Sequence, residues 1–282
     1  MIGYKFFTEN NVVWRLINGG ALPISLPRKM SILLDVKEAD VLRKKMGLSF
    51  LRWEEEFDSG ADSEWWHVIK SQPDTLASLP KKTRYMIKKA SDKFEACPVD
   101  LAIIVEHGYE VYVDSYSRYH THEKMYDLRE FLSAIRALPE NTEWWGVFDK
   151  ETSRMVGFSE NLVEEKKCFF VTMWHRPESL KMFSGYLLFY EMEKHYLCDR
   201  SFEYISDGAR SINHDTNIHN FLIGKFKYRK AYAKLRIVYN PLLLLLIKLL
   251  LPFEFLFSKL PWGVTSKVSI ALNQELIRRS CL

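Results

Sequence analysis

Residues 143–174, EWWGVFDKETSRMVGFSENLVEEKKCFFVTMW, predict the centre of the fold. It contains three runs rich in aromatic and β-branched residues, 143–148, 154–162 and 167–174, a composition that is typical of strands. The two turns between these runs, DKE and EEK, are polar and short. Because short turns join neighbouring strands that run in opposite directions, the stretch predicts an antiparallel three-stranded meander.

Predicted helices and further strands lie on both sides of the meander. A helix that begins at Lys81 is amphipathic, and its charged face is unusually basic. Residues 99–105, VDLAIIV, form a short apolar run suited to a buried strand. The other predicted elements are helices over 109–119, 127–138, 179–196 and 217–226, and strands over 202–206 and 231–239. This order predicts a mixed α/β (α+β) domain with a largely antiparallel sheet flanked by helices.

The chain divides into three predicted segments, 1–78, 79–240 and 241–282. The first segment predicts a small α/β unit, with a helix over 36–46 and strands over 50–57 and 65–69. The run SQPDTLASLP follows as a linker, because its prolines and polar residues break any periodicity. The second segment is the mixed α/β domain, and the third is an apolar tail.

Positive charge is concentrated in two blocks, although the formal net charge is only +4 and the isoelectric point about 8.7. The first block consists of Lys81, Lys82, Arg84, Lys88, Lys89 and Lys93. The second consists of Lys225, Lys227, Arg229, Lys230, Lys234 and Arg236, with no acidic residue among them. Such blocks suit an anionic partner, namely a phosphorylated cofactor, a nucleic acid or an anionic lipid surface. The alternative is that they are solvated helix faces.

The cysteines and the N-terminus lead us to expect a cytoplasmic protein. The four cysteines, Cys97, Cys168, Cys198 and Cys281, are scattered, without a CxxC pair or metal-ligand spacing. This pattern suits free thiols in a reducing compartment. The first residues lack the apolar core and small-residue cleavage site that a secretory signal needs.

The tail contains a strongly apolar run, LLLLLIKLLLPFEFLF, over residues 242–257. As a straight helix this run would reach about 24 Å at about 1.5 Å per residue. That length falls short of a hydrocarbon core about 30 Å thick, and Pro252 would kink the helix. The run is therefore not expected to span a membrane.

We expect residues 241–262 to lie in a membrane surface, which would place the protein peripherally on the inner face of the cell membrane. Lys248, Lys259 and Trp262 suit the headgroup level, and the second basic block would lie beside them. The alternative is a helix packed on the domain or on a second copy of the chain.

Four segments carry a resemblance to a known fold. They are SLPKKTRYMIKKASDKF (78–94), GYLLFYEMEKHY (185–196), YISDGARSI (204–212) and FLIGKFKYRKAYAKLRIVYNP (221–241). With the element order, they make the second segment of the chain similar to the GNAT acyltransferase fold, and within it to the FemAB and BioF2-type branch. The first of these runs resembles the basic helix that opens the second half of FemAB proteins, and the last resembles their closing region.

This resemblance implies transfer of an acyl or aminoacyl group from a thioester or ester donor to an amine. Two neighbouring strands of such a fold part in mid-sheet, where exposed N–H groups hold the thioester carbonyl oxygen. The N-terminus of the next helix receives the cofactor pyrophosphate. For acyl-CoA as donor, the implied cofactor-binding residues are Trp174, Arg176, Ser184 and Gly185.

The donor stays open between two classes. The chain lacks the Gln/Arg-x-x-Gly-x-Gly/Ala loop of ordinary GNAT enzymes. An aminoacyl-tRNA donor of the FemAB kind is therefore the alternative to acyl-CoA, and the two basic blocks would suit its phosphates.

Four residues are candidates for the catalytic chemistry, since amine acylation needs a group that orients the attacking ammonium or takes its proton. Asp207 follows a predicted strand, and Arg210 can bind an anionic group bidentately; alternatively, Asp207 caps a turn and pairs with Arg210. His219 is a candidate base because histidine changes charge near neutral pH, although it can equally be structural. Glu160, on the middle strand of the meander, faces either the cleft or the opposite side.

Asn217 and Lys225 are candidate substrate-binding residues, and Asn217 can alternatively cap the helix that it begins. His120 and His122 form the nearest approach to a metal pair, but no carboxylate or thiol stands at a convincing spacing. We therefore expect no metal. The absence of GxxxxGK(S/T), GxSxG and HExxH runs leaves nucleotide hydrolysis, serine hydrolysis and zinc proteolysis without support.

The sequence thus predicts an N-acyltransferase that moves an acyl group from acyl-CoA to an amino group on a sugar or lipid-linked envelope precursor. One alternative is FemAB-like aminoacyl transfer from tRNA. The other is a non-catalytic, GNAT-like scaffold at the membrane. No feature of the sequence indicates an oligomeric state.

Overall fold

The computed structural model describes residues 6–9, 12–23, 35–60, 63–117, 124–212, 217–257 and 262–281. The strands are β1 (Phe6–Glu9), β2 (Val12–Ile17), β3 (Gly20–Pro23), β4 (Phe50–Glu55), β5 (Trp66–Lys70), β6 (Phe94–Val99), β7 (Thr142–Asp149), β8 (Met155–Glu164), β9 (Lys167–His175), β10 (Tyr204–Ala209), β11 (Arg229–Tyr232) and β12 (Lys234–Tyr239). The helices are α1 (Val36–Lys45), α2 (Lys81–Lys93), α3 (Leu101–Tyr116), α4 (Leu128–Arg136), α5 (Pro177–Lys181), α6 (Ser184–Glu193), α7 (Asn217–Phe226), α8 (Pro241–Leu250), α9 (Glu254–Phe257) and α10 (Trp262–Ser280). The predicted fold class, a mixed α/β fold with largely antiparallel sheets flanked by helices, is confirmed.

These elements belong to two compact units. The first contains residues 69–208 and 220–229, and the second contains 209–219 together with the described residues before 69 and after 229. The division falls inside β5, β10, α7 and β11, so each unit is assembled from segments that are distant in the sequence. The three predicted segments, 1–78, 79–240 and 241–282, are consecutive stretches of sequence, so these two units do not test them. They stay a prediction.

The larger sheet has the strand order β11-β5-β10-β9-β8-β7-β6. The predicted meander is confirmed, because β8 pairs antiparallel with β7 on one side and with β9 on the other. β6 pairs antiparallel with β7. β9 and β10 run parallel, and α5 and α6 form the crossover that a parallel pair requires.

The predicted strand over 99–105 is wrong, because β6 ends at Val99 and α3 begins at Leu101. A short apolar run does not separate a strand from a buried helix by its periodicity. The helical spacing becomes visible only over the whole of α3, which buries Ile104, Gly108, Val111, Tyr112 and Ser115.

The single helix predicted over 179–196 is also wrong, because the chain breaks it at Phe183. This residue has a φ of 70° and separates α5 from α6. A right-handed helix of L-residues does not continue through the left-handed region. A π-helical turn, Lys194–Asp199, follows α6. Such turns are frequent at functional sites.

Two predicted strands have different bounds in the structure. The strand predicted over 202–206 begins two residues later, at Tyr204, and continues to Ala209. The strand predicted over 231–239 is divided into β11 and β12, which belong to different sheets. Asp207, which was expected to follow a strand, therefore lies within one.

The second unit holds the smaller sheet, with the order β1-β2-β3-β4-β12. Its pairs are antiparallel except for β3 and β4. The predicted helix over 36–46 is confirmed as α1, which begins with a capping box formed by Asp35 and Glu38. Its Ala39 packs into a core with Trp14 and Leu51. The strands β1, β2 and β3 were not predicted, since two of them have only four residues and show little alternation.

The tail helices belong to the second unit and pack there around a small core of their own. Ile247 of α8 and Leu272 of α10 are buried there with Tyr239 of β12. No helix within the described part of the chain is both long enough and apolar enough to cross a membrane.

Candidate functional site

The parallel strands β9 and β10 part after a short paired region. Their register ends where Phe169 lies opposite Ser206. β9 nevertheless continues to His175 and β10 to Ala209. Beyond the paired region, residues 171–174 of β9 are partly exposed. The parted strand pair that the GNAT resemblance implies is therefore present in the first unit.

Asp207 and Gly208 are the first residues of β10 beyond the paired region. Gly208 has a φ of +88°, and a Cβ atom there would lie 2.8 Å from the Phe169 ring, so the position favours glycine. Asp207 is half-buried. This predicted catalytic carboxylate thus lies where the strands part, and its role stays a prediction.

A β-bulge lies in β9 just beyond the paired region. Glu160 of β8 pairs with Thr172, whereas Asn161 pairs with Phe170, so Val171 is an extra residue. A bulge leaves its extra residue outside the ladder and is over-represented next to active sites. A backbone N–H released in this way is the kind of donor that stabilises a carbonyl oxygen as it gains negative charge.

A buried hydrogen-bond network supports the bulge from the α6 side. The Ser159 hydroxyl donates to Asn161 Oδ1 at 2.6 Å and lies 3.3 Å from the carbonyl oxygen of Thr172. Asn161 Nδ2 lies 3.3 Å from the Tyr196 hydroxyl, which donates to Glu143 at 2.9 Å. Burial raises the pKa of Tyr196, so this phenol keeps its proton. The network therefore connects the bulge to the π-helical turn.

The outer end of this network opens on a cleft of about 550 Å³. Arg200 Nη1 donates to both carboxylate oxygens of Glu143, at 2.6 and 2.7 Å. His195 also lines the cleft, and burial, followed by the charge of Arg200, lowers its pKa. Sequence reasoning missed this group, because its members come from β7, β8 and the π-helical turn and no local motif connects them.

Two predicted site residues on the larger sheet, Glu160 and Trp174, contact neighbouring side chains. Glu160 is buried, and Thr172 Oγ1 donates to its Oε2 at 3.3 Å. Trp174 packs edge-on against Tyr112 of α3, with ring centroids 4.9 Å apart. Their predicted catalytic and cofactor-binding roles stay predictions.

Arg176, a predicted cofactor-binding residue, is buried behind β9. Its Nε donates to the carbonyl oxygen of Met155 at 3.1 Å. One terminal nitrogen donates to Glu110 at 2.9 Å, and the other pairs with Asp114. All three nitrogen atoms of the Arg176 guanidinium have acceptors within the protein. The guanidinium is therefore poorly suited to bind a pyrophosphate.

Ser184 and Gly185 begin α6, as the predicted cofactor site requires, but the Ser184 side chain is turned inward. Its hydroxyl is buried and lies 3.0 Å from His175 Nδ1 and 3.1 Å from Ser179 Oγ. A Cβ atom at Gly185 would lie 3.4 Å from Leu180. Because the Ser184 side chain faces inward and Gly185 has no side chain, only the backbone at the start of α6 is left to bind a phosphorylated ligand.

The remaining predicted residues are divided between the units. Lys225 belongs to the first unit and is half-buried, whereas Arg210, Asn217 and His219 belong to the second. Arg210 and His219 come together at the ring of Trp66. Arg210 pairs with Glu64, 2.6 Å away.

A buried ionic cluster in the first unit was also missed. Lys70 Nζ lies 2.5 Å from Glu193 and 3.0 Å from Asp74, and it lies 5.7 Å from the centroid of the Tyr228 ring. Burial raises the pKa of Glu193 to about 7, against the opposing charge of Lys70. Burial also raises the pKa of Tyr228, and the charges of Glu193 and Asp207 add to this effect. Lys70 ends a strand and Asp74 lies in the predicted linker, so only the fold brings them together.

Metal binding has no support in the described ranges, where no group of three or more histidine, cysteine, aspartate or glutamate residues is placed to hold an ion. The predicted pair His120 and His122 lies outside the described residues.

Three solved structures resemble this chain over most of its length. L-PGS from Bacillus licheniformis is 12% identical with a TM-score of 0.54, and the match covers 98% of this chain and 90% of that chain. The C-terminal domain of a protein assigned as a lysylphosphatidylglycerol synthetase from Agrobacterium fabrum is 10% identical with a TM-score of 0.52, covering 85% of both chains. FemX is 8% identical with a TM-score of 0.52, covering 81% of this chain and 86% of that chain.

No family model matches the sequence, and a search of curated proteins found no match. At identities this low, the likeness to solved structures shows the fold alone. The chain has a GNAT-like fold, and the narrower FemAB and BioF2-type branch stays a prediction.

The buried Glu193 makes stability depend on pH. Its carboxyl keeps a proton in the folded chain up to about pH 7, whereas the unfolded chain releases it near the ordinary value of 4.5. Stability is therefore lost as pH rises between these values, by at most about 1.4 kcal/mol per pH unit. We expect the free energy of unfolding of the native chain to fall over this interval relative to that of Glu193→Gln, measured by urea denaturation.

The exposed Glu95 offers a matched control, since Glu95→Gln also removes one carboxylate. The difference between this control and the native chain should stay constant from pH 4.5 to 7. A constant difference for Glu193→Gln as well would contradict the assignment.

Proposed function

We propose that this chain is an acyl or aminoacyl transferase that acts on a cell-envelope acceptor at the membrane surface. The observation that carries the proposal is the parted strand pair, with Asp207 on β10 and the bulge at Val171 on β9. The shared fold with FemX and with a protein assigned as a lysylphosphatidylglycerol synthetase supports it.

The residues at the parted strands suit the steps of such a transfer. An acceptor ammonium loses a proton, its nitrogen attacks the donor carbonyl carbon, and the bond from that carbon to the donor oxygen or sulfur breaks. Asp207 orients the ammonium and receives its proton. The backbone at Val171 stabilises the negative charge that develops on the carbonyl oxygen. The nitrogen loses its second proton as the amide forms, and that proton neutralises the leaving group.

An aminoacyl-tRNA is favoured over acyl-CoA as the donor. The side chains of Arg176 and Ser184, which acyl-CoA was expected to use, are engaged inside the protein. The name lysylphosphatidylglycerol synthetase, given to one structural neighbour, denotes transfer of an aminoacyl group. Acyl-CoA remains the competing donor, and the assay below separates the two.

The exposed face of α2 suits the phosphates and unpaired bases of a tRNA end. Lys81, Lys82, Lys88 and Lys89 are exposed along it. Tyr85 is 60% exposed, and Lys89 Nζ lies 6.0 Å from its ring centroid and 5.9 Å from that of Phe183, directly before α6. Lysines that neutralise phosphates beside an exposed aromatic ring are typical of single-stranded nucleic-acid binding.

A transfer assay tests this function. The donor is tRNA charged with radiolabelled amino acids, and the acceptor is a bacterial membrane-lipid extract. We expect label to enter the extract, ribonuclease treatment of the donor to abolish transfer, and Asp207→Asn to lower the rate by about 10²–10⁴-fold. The exposed Asp199 provides the matched control, and Asp199→Asn should retain the native rate.

Two results would contradict this donor. Transfer that resists ribonuclease, or a melting temperature that rises with acetyl-CoA or a long-chain acyl-CoA, would restore acyl-CoA. Transfer from neither donor would favour the non-catalytic scaffold.

The exposed face of α8 supports action at a membrane. Leu242, Leu245, Leu246 and Leu249 are each more than half exposed, whereas Ile247 on the opposite face is buried. An apolar patch of this kind marks an interaction site. Lys248 is exposed among the leucines, and α8 contains no acidic residue. A basic, acid-free apolar helix face suits an anionic membrane surface, and we place the protein peripherally on the inner face of the cell membrane.

Vesicle co-sedimentation tests the membrane assignment. Leu245→Asp combined with Leu249→Asp should weaken binding to phosphatidylglycerol-containing vesicles at least 10-fold, because charges cannot enter the apolar phase. The control is Val41→Asp, since Val41 of α1 is 65% exposed in the same unit. Deleting the tail is a poorer test, because it also removes Ile247 and Leu272 from a core. Native binding by the double variant would assign this face to a protein partner instead.

A further inference from the structure

Trp66, at the start of β5, is surrounded by cationic side chains of the second unit. Lys230 Nζ lies 4.4 Å from the centroid of the indole ring, and the guanidinium carbon of Arg210 lies 5.9 Å from it. The His219 ring packs edge-on, with centroids 5.4 Å apart. The Arg210 backbone N–H donates to the Trp66 carbonyl oxygen at 2.9 Å. Arg210 and Lys230 thus bring positive charge to an aromatic ring that is distant from them in the sequence.

This positive charge is only partly compensated. Arg210 Nη1 donates to the Glu64 carboxylate at 2.6 Å, but the Glu64 side chain is 67% exposed. Arg210 Nε is buried and has no hydrogen-bond partner among the described residues. Lys230 is exposed, and it forms no ion pair within the part of the chain that the structure describes. A buried donor without an acceptor is costly, so an anionic ligand that reaches it would be stabilised.

We infer that Trp66, Arg210 and Lys230 form a binding site for a phosphate group carried by a substrate. Arginine binds phosphate through its planar fork of donors, and lysine adds a mobile point charge. The indole ring offers an apolar surface to the group that carries the phosphate.

This inference deepens the proposed function and rests on it for the identity of the ligand. A transferase that acts on envelope precursors meets phosphate in two forms, a lipid headgroup and a soluble phosphate ester. The site recognises the chemistry that both share, and binding experiments separate the two sources.

Calorimetric titration of the full chain tests the site with two soluble probes, inorganic pyrophosphate and dihexanoylphosphatidylglycerol below its micelle concentration. Lys230→Ala should weaken binding of the preferred probe about 10-fold. Glu64→Gln should strengthen it several-fold, because the carboxylate that competes for Arg210 is removed. Lys267→Ala, an exposed lysine of α10, should leave it unchanged. All three substituted side chains are exposed, and a melting curve for each variant establishes that it is folded.

The opposite responses of Lys230→Ala and Glu64→Gln distinguish a binding site from a structural contact. Preference for the lipid probe assigns a headgroup, and preference for pyrophosphate assigns a soluble phosphate ester. Binding of neither probe, or equal affinities in the native chain and both variants, would overturn the inference. The calorimetric titration does not depend on transfer activity. If phosphate binding depends on Lys230 but the transfer assay is negative, the proposed reaction is refuted and the binding site is retained.

Discussion

The parallel pairing of β9 with β10 is the constraint on which the rest of the site depends. A parallel pair cannot be joined by a tight turn, so the chain must leave the sheet and return through α5 and α6. The pairing ends at Phe169, and beyond it β9 and β10 are no longer paired with each other. The bulge at Val171 adds a second irregularity on the same strand. Asp207 and the backbone near Val171 thereby lie beside the parted strands, where the proposed reaction would take place.

The structure separates charges that are indistinguishable in the sequence. Arg176 is neutralised inside the first unit by Glu110 and Asp114, and Lys70 is paired with Asp74 and donates a hydrogen bond to Glu193. Buried charges of this kind must be paired, because removing one partner leaves the other charge buried and uncompensated. The exposed lysines of α2 and Lys230 beside Trp66 remain accessible instead. Ligand recognition is accordingly expected at the second kind of position.

Elements with a strong local period were predictable from the sequence. The meander and α2 have alternating or amphipathic patterns, and both appear close to their predicted bounds. The run 99–105 failed because apolar residues alone do not distinguish a strand from a buried helix. The break at Phe183 has no sequence signal, since a bulky residue rarely adopts a positive φ. The site was only partly predictable for a related reason. Asp207 and Arg210 lie in the run YISDGARSI, which carries part of the family resemblance. Tertiary contacts alone give partners to Ser159, Tyr196, Lys70 and Trp66.

The proposed function requires the parted strands to hold the carbonyl group of an aminoacyl donor. A crystal structure with a stable mimic of the tRNA end, an adenosine with an amide-linked amino acid, tests this most directly. We predict the amide carbonyl oxygen within hydrogen-bond distance of a backbone N–H next to Val171, with the Asp207 carboxylate on the acceptor side of the carbonyl carbon. A mimic bound away from β9 and β10 would contradict the proposed function.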